Sequence, residues 1–94
     1  MPMDSQMRLA RAPGIEIREA PDGFVVYDPA RDRVHYLNRT AALLLESCDG
    51  RLAAIELPAL LAAAFNLDAP PTGEVETCLA ALLGEGLLVA APAD

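Results

Sequence analysis

Lysine and tryptophan are both absent from this chain of 94 residues. Without lysine there is no P-loop lysine and no amine for a Schiff base, and neither GxGxxG nor GxxxxGK[ST] occurs. Histidine is scarce as well: His35 stands alone, in a predicted strand, at no recognised ligand spacing with Cys48 and Cys78. A metal site is therefore not read from these residues, and no cofactor is expected. A catalytic Cys–His pair would need Cys48 to face outward, and its helical period points it inward. Each cysteine falls on a predicted helix face among apolar residues, which favours reduced core thiols over a disulfide or a reactive site. Asp28 and Asp32 flank a turn and read as solvated carboxylates rather than an acid–base pair. No apolar run reaches the roughly 18 residues a bilayer span needs. The segment Met1 to Gln6 carries no apolar signal core, so the expectation is a cytoplasmic protein with no membrane partner.

What is present is unevenly charged. All seven basic residues are arginines, and none lies beyond Arg51. The net charge of −7 is thus about −1 over residues 1–51 and −6 over residues 52–94. The apolar share is 53 %, much of it alanine. A chain of this length forms one small domain with a modest core and a stability of a few kcal/mol.

The most informative stretch is VHYLNRTAALLLESCDG, Val34 to Gly50. Val34 to Leu37 has strand composition. Asn38 can accept from a free N–H of the next turn as an N-cap, and Leu37 with Ala42 suits a hydrophobic staple. Ala41, Leu44, Leu45 and Cys48 fall at helical spacing, and Gly50 reads as the left-handed stop after Asp49. Upstream, Ile15 to Glu19 alternates as a first strand. Pro21-Asp22-Gly23 is a turn, Phe24 to Asp28 a second strand, Pro29 to Asp32 another turn and Arg33 to Leu37 the third strand. Two short connections in a row give an antiparallel meander, which must pack one face on helices. Downstream, Pro58 is tolerated near a helix start, so a second helix is expected from about Leu57, with Leu57, Leu60, Leu61, Ala64 and Phe65 inward. Thr72 reads as the cap of a third helix with Val75, Leu79, Leu82 and Leu83 as its core face, ended by Gly86. Leu87 to Val89 returns as a short strand or packs as an apolar tail. Residues 1–14 are expected to be a flexible tail, 15–89 the domain and 90–94 a second tail.

This is an α+β outline, winged helix-turn-helix-like, with a three-stranded antiparallel sheet before three helices. A winged helix that binds DNA seats a basic helix on phosphates. Thr72 to Gly86 holds Glu74, Glu76 and Glu85 and no arginine, so nucleic acid is not an expected partner, and a DNA-binding regulator is the weakest reading. The third strand lies at one side of the meander, with neither proline nor lysine to blunt its edge. An open edge can accept an extended peptide by strand addition. Cys78 and Ala81 lie off the core stripe of the third helix and can floor a groove beside the sheet. The alternative is a structural module whose edge is closed by homodimerisation.

The segment YLNRTAALLLESCDG (Tyr36–Gly50) is preceded by DGFVVYDPARDRVH. It is followed by a Phe-terminated helix and by LLGEGLL (Leu82–Leu88). Together these resemble the PqqD family of RiPP precursor recognition elements, over about Ile15 to Val89. The resemblance implies a winged-helix-like, non-catalytic peptide chaperone. It would hold the leader of a ribosomally made precursor peptide as an added strand and present it to a modifying enzyme, often of the radical SAM type. In the founding pathway the product is pyrroloquinoline quinone (PQQ). By position, the binding strand would be Arg33, Val34, His35, Tyr36 and Leu37. The helical wall would be Val75, Cys78, Leu79, Ala81 and Leu82. Asn38, Thr40, Asp49 and Gly50 match the signature and read as structural. Two features depart from the family pattern: Pro58 interrupts the second helix, and the acidic third helix points either to a basic leader or to a solvated face.

Overall fold

The computed structural model describes residues 6–91. The expectations for residues 1–5 and 92–94 lie outside the described residues. The architecture is α+β, as expected: a three-stranded antiparallel sheet followed by helices. Its strands are β2 (Glu16–Ala20), β3 (Gly23–Asp28) and β4 (Arg33–Leu37), in the order β2-β3-β4. The register runs Ala20↔Gly23 to Glu16↔Tyr27 across the first hairpin and Asp28↔Arg33 to Phe24↔Leu37 across the second. Asp32 adopts φ 51, the left-handed conformation that aspartate tolerates in a turn.

Helix α1 (Arg39–Ser47) starts as its sequence dictates. Asn38 is extended, and its Oδ1 accepts from the Ala41 N–H at 2.8 Å. Leu44 and Leu45 are fully buried, and Ala42 rather than Ala41 joins them. The helix stops sooner than its composition suggests. Cys48 caps it, and Asp49–Ala53 leaves as strand β5, with Gly50 at φ 89 inside that strand. Long-range pairing overrides the local glycine stop: β5 lies antiparallel to β1 (Arg8–Arg11), and the Arg11 N–H donates to the Cys48 carbonyl at 3.0 Å.

Strand β1 corrects the expected tail of residues 1–14. It is the middle strand of a second sheet, β5-β1-β6, in which β6 is Leu88–Ala90. Leu9 is 1 % exposed, which gives this short segment its reason to order. Ala90, expected in the C-terminal tail, pairs with Leu9, and the Ala91 N–H donates to the Arg8 carbonyl at 2.8 Å.

A single 3₁₀ turn, Ala54–Glu56, enters α2 (Leu57–Phe65), with the Glu56 carboxylate accepting from the Ala53 N–H at 2.7 Å. Pro58 sits in the first turn, where its missing N–H has no helical partner to lose. Leu57 and Leu61 are buried, but Ala64 and Phe65 face outward. Helix α3 (Thr72–Gly84) follows Pro71, and Thr72 is its first helical residue rather than a side-chain cap. Gly86 (φ 76) ends it. Leu87 N–H donates to the Leu82 carbonyl and Gly86 N–H to the Leu83 carbonyl, the paired bonds of a Schellman stop. The core joins Leu9, Val26, Leu44, Leu45, Leu57 and Leu79, among others, so both sheets and all three helices share it. Asp28, expected in solvent, is 4 % exposed. It sits on the face of β3 that Val26 presents to the core, because residues two apart on a strand share a face.

Candidate functional site

The site begins with an edge. β4 has β3 on one side and, among the described residues, no strand on the other. Which of its backbone groups are free follows from the first turn. Ala20 and Gly23 close a two-residue hairpin and so exchange both hydrogen bonds. Alternation then points Gly23, Val25 and Tyr27 toward β2, and Phe24, Val26 and Asp28 toward β4. Their partners Leu37, His35 and Arg33 use their N–H and C=O groups on β3. The N–H and C=O groups of Val34 and Tyr36 therefore point off the sheet, two donors and two acceptors in a row.

Side chains on β4 divide by face. Val34 is 50 % and Tyr36 81 % exposed, beside Tyr27 and Val25 on the outer face. Arg33, His35 and Leu37 share the helix-facing side. There Leu37 packs against the core, and His35 retains 13 % side-chain exposure.

Helix α3 meets the β4 side of the sheet at its C-terminal end, through Glu85. Glu74, Thr77, Cys78, Ala81 and Glu85 recur at i, i+3, i+4, i+7 and i+11, one stripe along the helix. A shallow, wide-open groove runs along one face of α3, lined by Gly73, Glu74, Thr77, Cys78 and Ala81. Its C-terminal end is tied to β4. His35 Nδ1 lies 2.7 Å from a Glu85 carboxylate oxygen, and Arg31, in the turn before β4, donates to the Glu85 carbonyl at 2.9 Å. Arg31 also fills the space where a Cβ at Gly86 would project, so the glycine that ends the helix also admits this guanidinium. The Thr77 hydroxyl donates to the Gly73 carbonyl at 3.0 Å and is spent within the helix.

The residues singled out from sequence divide accordingly. Arg33 to Leu37 form the free-edged strand, and Cys78 and Ala81 lie on the groove. Val75, Leu79 and Leu82 are at most 2 % exposed: they anchor the wall from behind and offer a guest no surface. From sequence, Glu74 and Glu85 stand out only as part of an acidic helix, and Arg31 and Thr77 are passed over, although the helical spacing of Glu74, Thr77 and Glu85 is there to be counted. A second hollow, of about 340 Å³, lies between the 3₁₀ turn and α2 on one side and α3 on the other, lined by Ile55, Pro58, Pro70 and Glu76 among others. No spacing in the sequence announces it.

Both cysteines are free thiols. Burial, then the adjacent Asp49 carboxylate, pushes the Cys48 thiol up to about 11. Burial, then the negative charge of Glu85, raises that of Cys78. Both stay protonated near neutral pH, and a protonated thiol is a poor nucleophile. Neither thiol is therefore activated as a nucleophile by its surroundings.

The fold and the site define a small α+β domain in which, among the described residues, one sheet edge is open and α3 is tied to that side through Glu85. The model of the family described as coenzyme PQQ synthesis protein D (PqqD) matches residues 23–88, and the chain belongs to that family. The match runs from the first residue of β3 to the first residue of β6 and so contains every part of the site. Comparisons with curated proteins and with solved structures find no match.

Proposed function

We propose that this protein is a non-catalytic carrier for the leader of a ribosomally made precursor peptide. The leader lies along β4 as an added strand, with α3 as its wall, and is presented to a modifying enzyme, of the radical SAM type in this reading. Membership of the PqqD family supports a role in PQQ biosynthesis. A related RiPP pathway would use the same site. The observation that carries the reading is the ladder at Val34 and Tyr36, unpaired among the described residues, on a strand tied to α3 through Glu85.

Backbone pairing gives affinity without demanding sequence, and the groove side chains supply the choice. Ordering a disordered leader offsets about 2–5 kcal/mol of the contact energy, so binding is moderate and reversible, as a carrier requires. Tyr36→Pro removes one outward donor and leaves the β3 ladder whole. Loss of one hydrogen bond, about 1 kcal/mol, corresponds to roughly fivefold weaker binding. The measurement is titration of the isotope-labelled protein with the synthetic leader encoded beside it, followed by NMR. Amide shifts confined to β4 and α3, with the weakened Tyr36→Pro variant, support the reading; unchanged affinity in that variant sinks it.

A second reading has its own observation. Val34 and Tyr36 place exposed apolar surface beside the free edge, which also suits edge-to-edge pairing of two copies. Light scattering separates the two, since a tight dimer with no response to the peptide favours self-closure.

A further inference from the structure

The charges at the two ends of the groove differ. This inference rests on the strand-addition reading and concerns which peptide the site accepts. Along the stripe of α3 only Glu74 and Glu85 are charged, and they stand at opposite ends. Glu85 is already engaged: its carboxylate meets His35 at 2.7 Å and its carbonyl meets Arg31 at 2.9 Å. Arg33, exposed on the same face of β4 as His35, adds a further positive charge there. Glu74 is exposed and, among the described residues, has no ion-pair partner. Nothing on its own half of the chain can neutralise it, because residues 52–94 hold no arginine or lysine. Between the ends, Thr77, Cys78 and Ala81 are small and uncharged.

We propose that the groove selects a guest strand with a basic side chain at the Glu74 end, uncharged residues along Cys78 and Ala81, and an acidic or neutral residue at the Arg33 end. At 1.5 Å per residue, Glu74 and Glu85 lie about 16 Å apart along the helix. An extended guest covers that in about five residues. The recognised pattern is therefore an arginine or lysine about five residues from the position facing Arg33. A carboxylate in the first turn also suits the helix dipole. That role changes stability but not peptide choice, so the experiment reads the two separately.

The probe is a displayed library of random twelve-residue peptides, selected in parallel on the full wild-type chain, Glu74→Lys, Glu74→Gln and Tyr36→Pro, with the melting temperature of each variant recorded. Wild-type binders are expected to concentrate arginine or lysine at one position. Glu74→Gln should lose that preference, and Glu74→Lys should replace it with aspartate or glutamate. Resynthesised pairs differing only in lysine or glutamate at that position should differ about threefold or more in Kd on wild type, with the order inverted on Glu74→Lys. An exposed ion pair, at 0.2–1 kcal/mol, sets that scale. Binders that fail on Tyr36→Pro but bind Glu74→Lys with unchanged charge preference overturn this inference alone. Binders indifferent to Tyr36→Pro, or a library from which nothing is enriched, overturn the strand-addition reading with it.

Discussion

The molecule contains two three-stranded sheets that differ in how their strands meet. β2, β3 and β4 are consecutive in the chain and joined by tight turns, whereas β5, β1 and β6 bring together segments beginning at Asp49, Arg8 and Leu88. In the first sheet the last strand keeps, among the described residues, a bare edge. In the second, β1 has both edges taken, and its Leu9 is sealed in the core. The local sheet is closed by neighbours in sequence, whereas the long-range sheet ties three segments far apart in the chain to one another. The sharpest test of that division is in β1. Leu9→Ala should destabilise by about 3 kcal/mol, since a buried leucine leaves a cavity behind. For a domain this small that lowers the melting temperature by roughly 12–24 °C. A melting curve unmoved by this change would mean that the segment is the loose tail its composition suggests.

That tail reading shows where the sequence stops being legible. The meander, the Asn38 cap, the start of α2 near Leu57 and the stop at Gly86 all rest on signals within a few residues of one another. RLAR (Arg8–Arg11) is too short for any period, and its partners lie some forty and eighty positions away. β5 was masked by Gly50, a residue that also ends helices, and by the leucine and alanine that follow it. Pairing with β1 overrode those preferences, as tertiary context does. At the site, the edge was readable because it follows from strand order alone. The wall was half readable. Apolarity picked out Val75, Leu79 and Leu82, and apolarity is what buries them. The groove stripe is small and charged, so only its spacing marks it.

Cys48 sits where the two halves join, at the end of α1 with its carbonyl held by β1. Its thiol is raised from 9.0 to about 11 in the folded state. The unfolded chain therefore loses this proton first as pH rises. The resulting stability is fully present below about pH 9 and is lost progressively as pH rises through about 11, by at most about 3 kcal/mol. The absence of lysine keeps that window clear of ammonium titrations. Urea melts at pH 8 and pH 10.5, compared with the same pair for Cys48→Ala, should show a steeper alkaline loss in the wild type. Equal losses would mean that the thiol does not contribute.

Proline substitution sets the two sheets side by side. At Ala10 every backbone group faces a neighbouring strand, so Ala10→Pro should cost about 3 kcal/mol or abolish folding. At Tyr36 the N–H faces outward, so Tyr36→Pro should change stability by less than about 1 kcal/mol while weakening peptide binding. Comparable destabilisation at both positions would mean that the β4 edge is already paired.

The smallest effect expected is at the bridge between the local sheet and α3. Glu85 is half exposed, so its contact with His35 should contribute only about 0.5 kcal/mol to folding. A double-mutant cycle of His35→Ala and Glu85→Gln measures that coupling directly. The bridge joins β4 to the C-terminal end of α3 and leaves the rest of the helix without such a tie. Breaking it should therefore weaken the leader more than it weakens the fold, because a guest strand needs both walls at once and the core does not. Equal small losses in stability and in affinity would reduce His35 and Glu85 to an ordinary surface pair, leaving the width of the groove to be set by the buried Val75, Leu79 and Leu82 behind it.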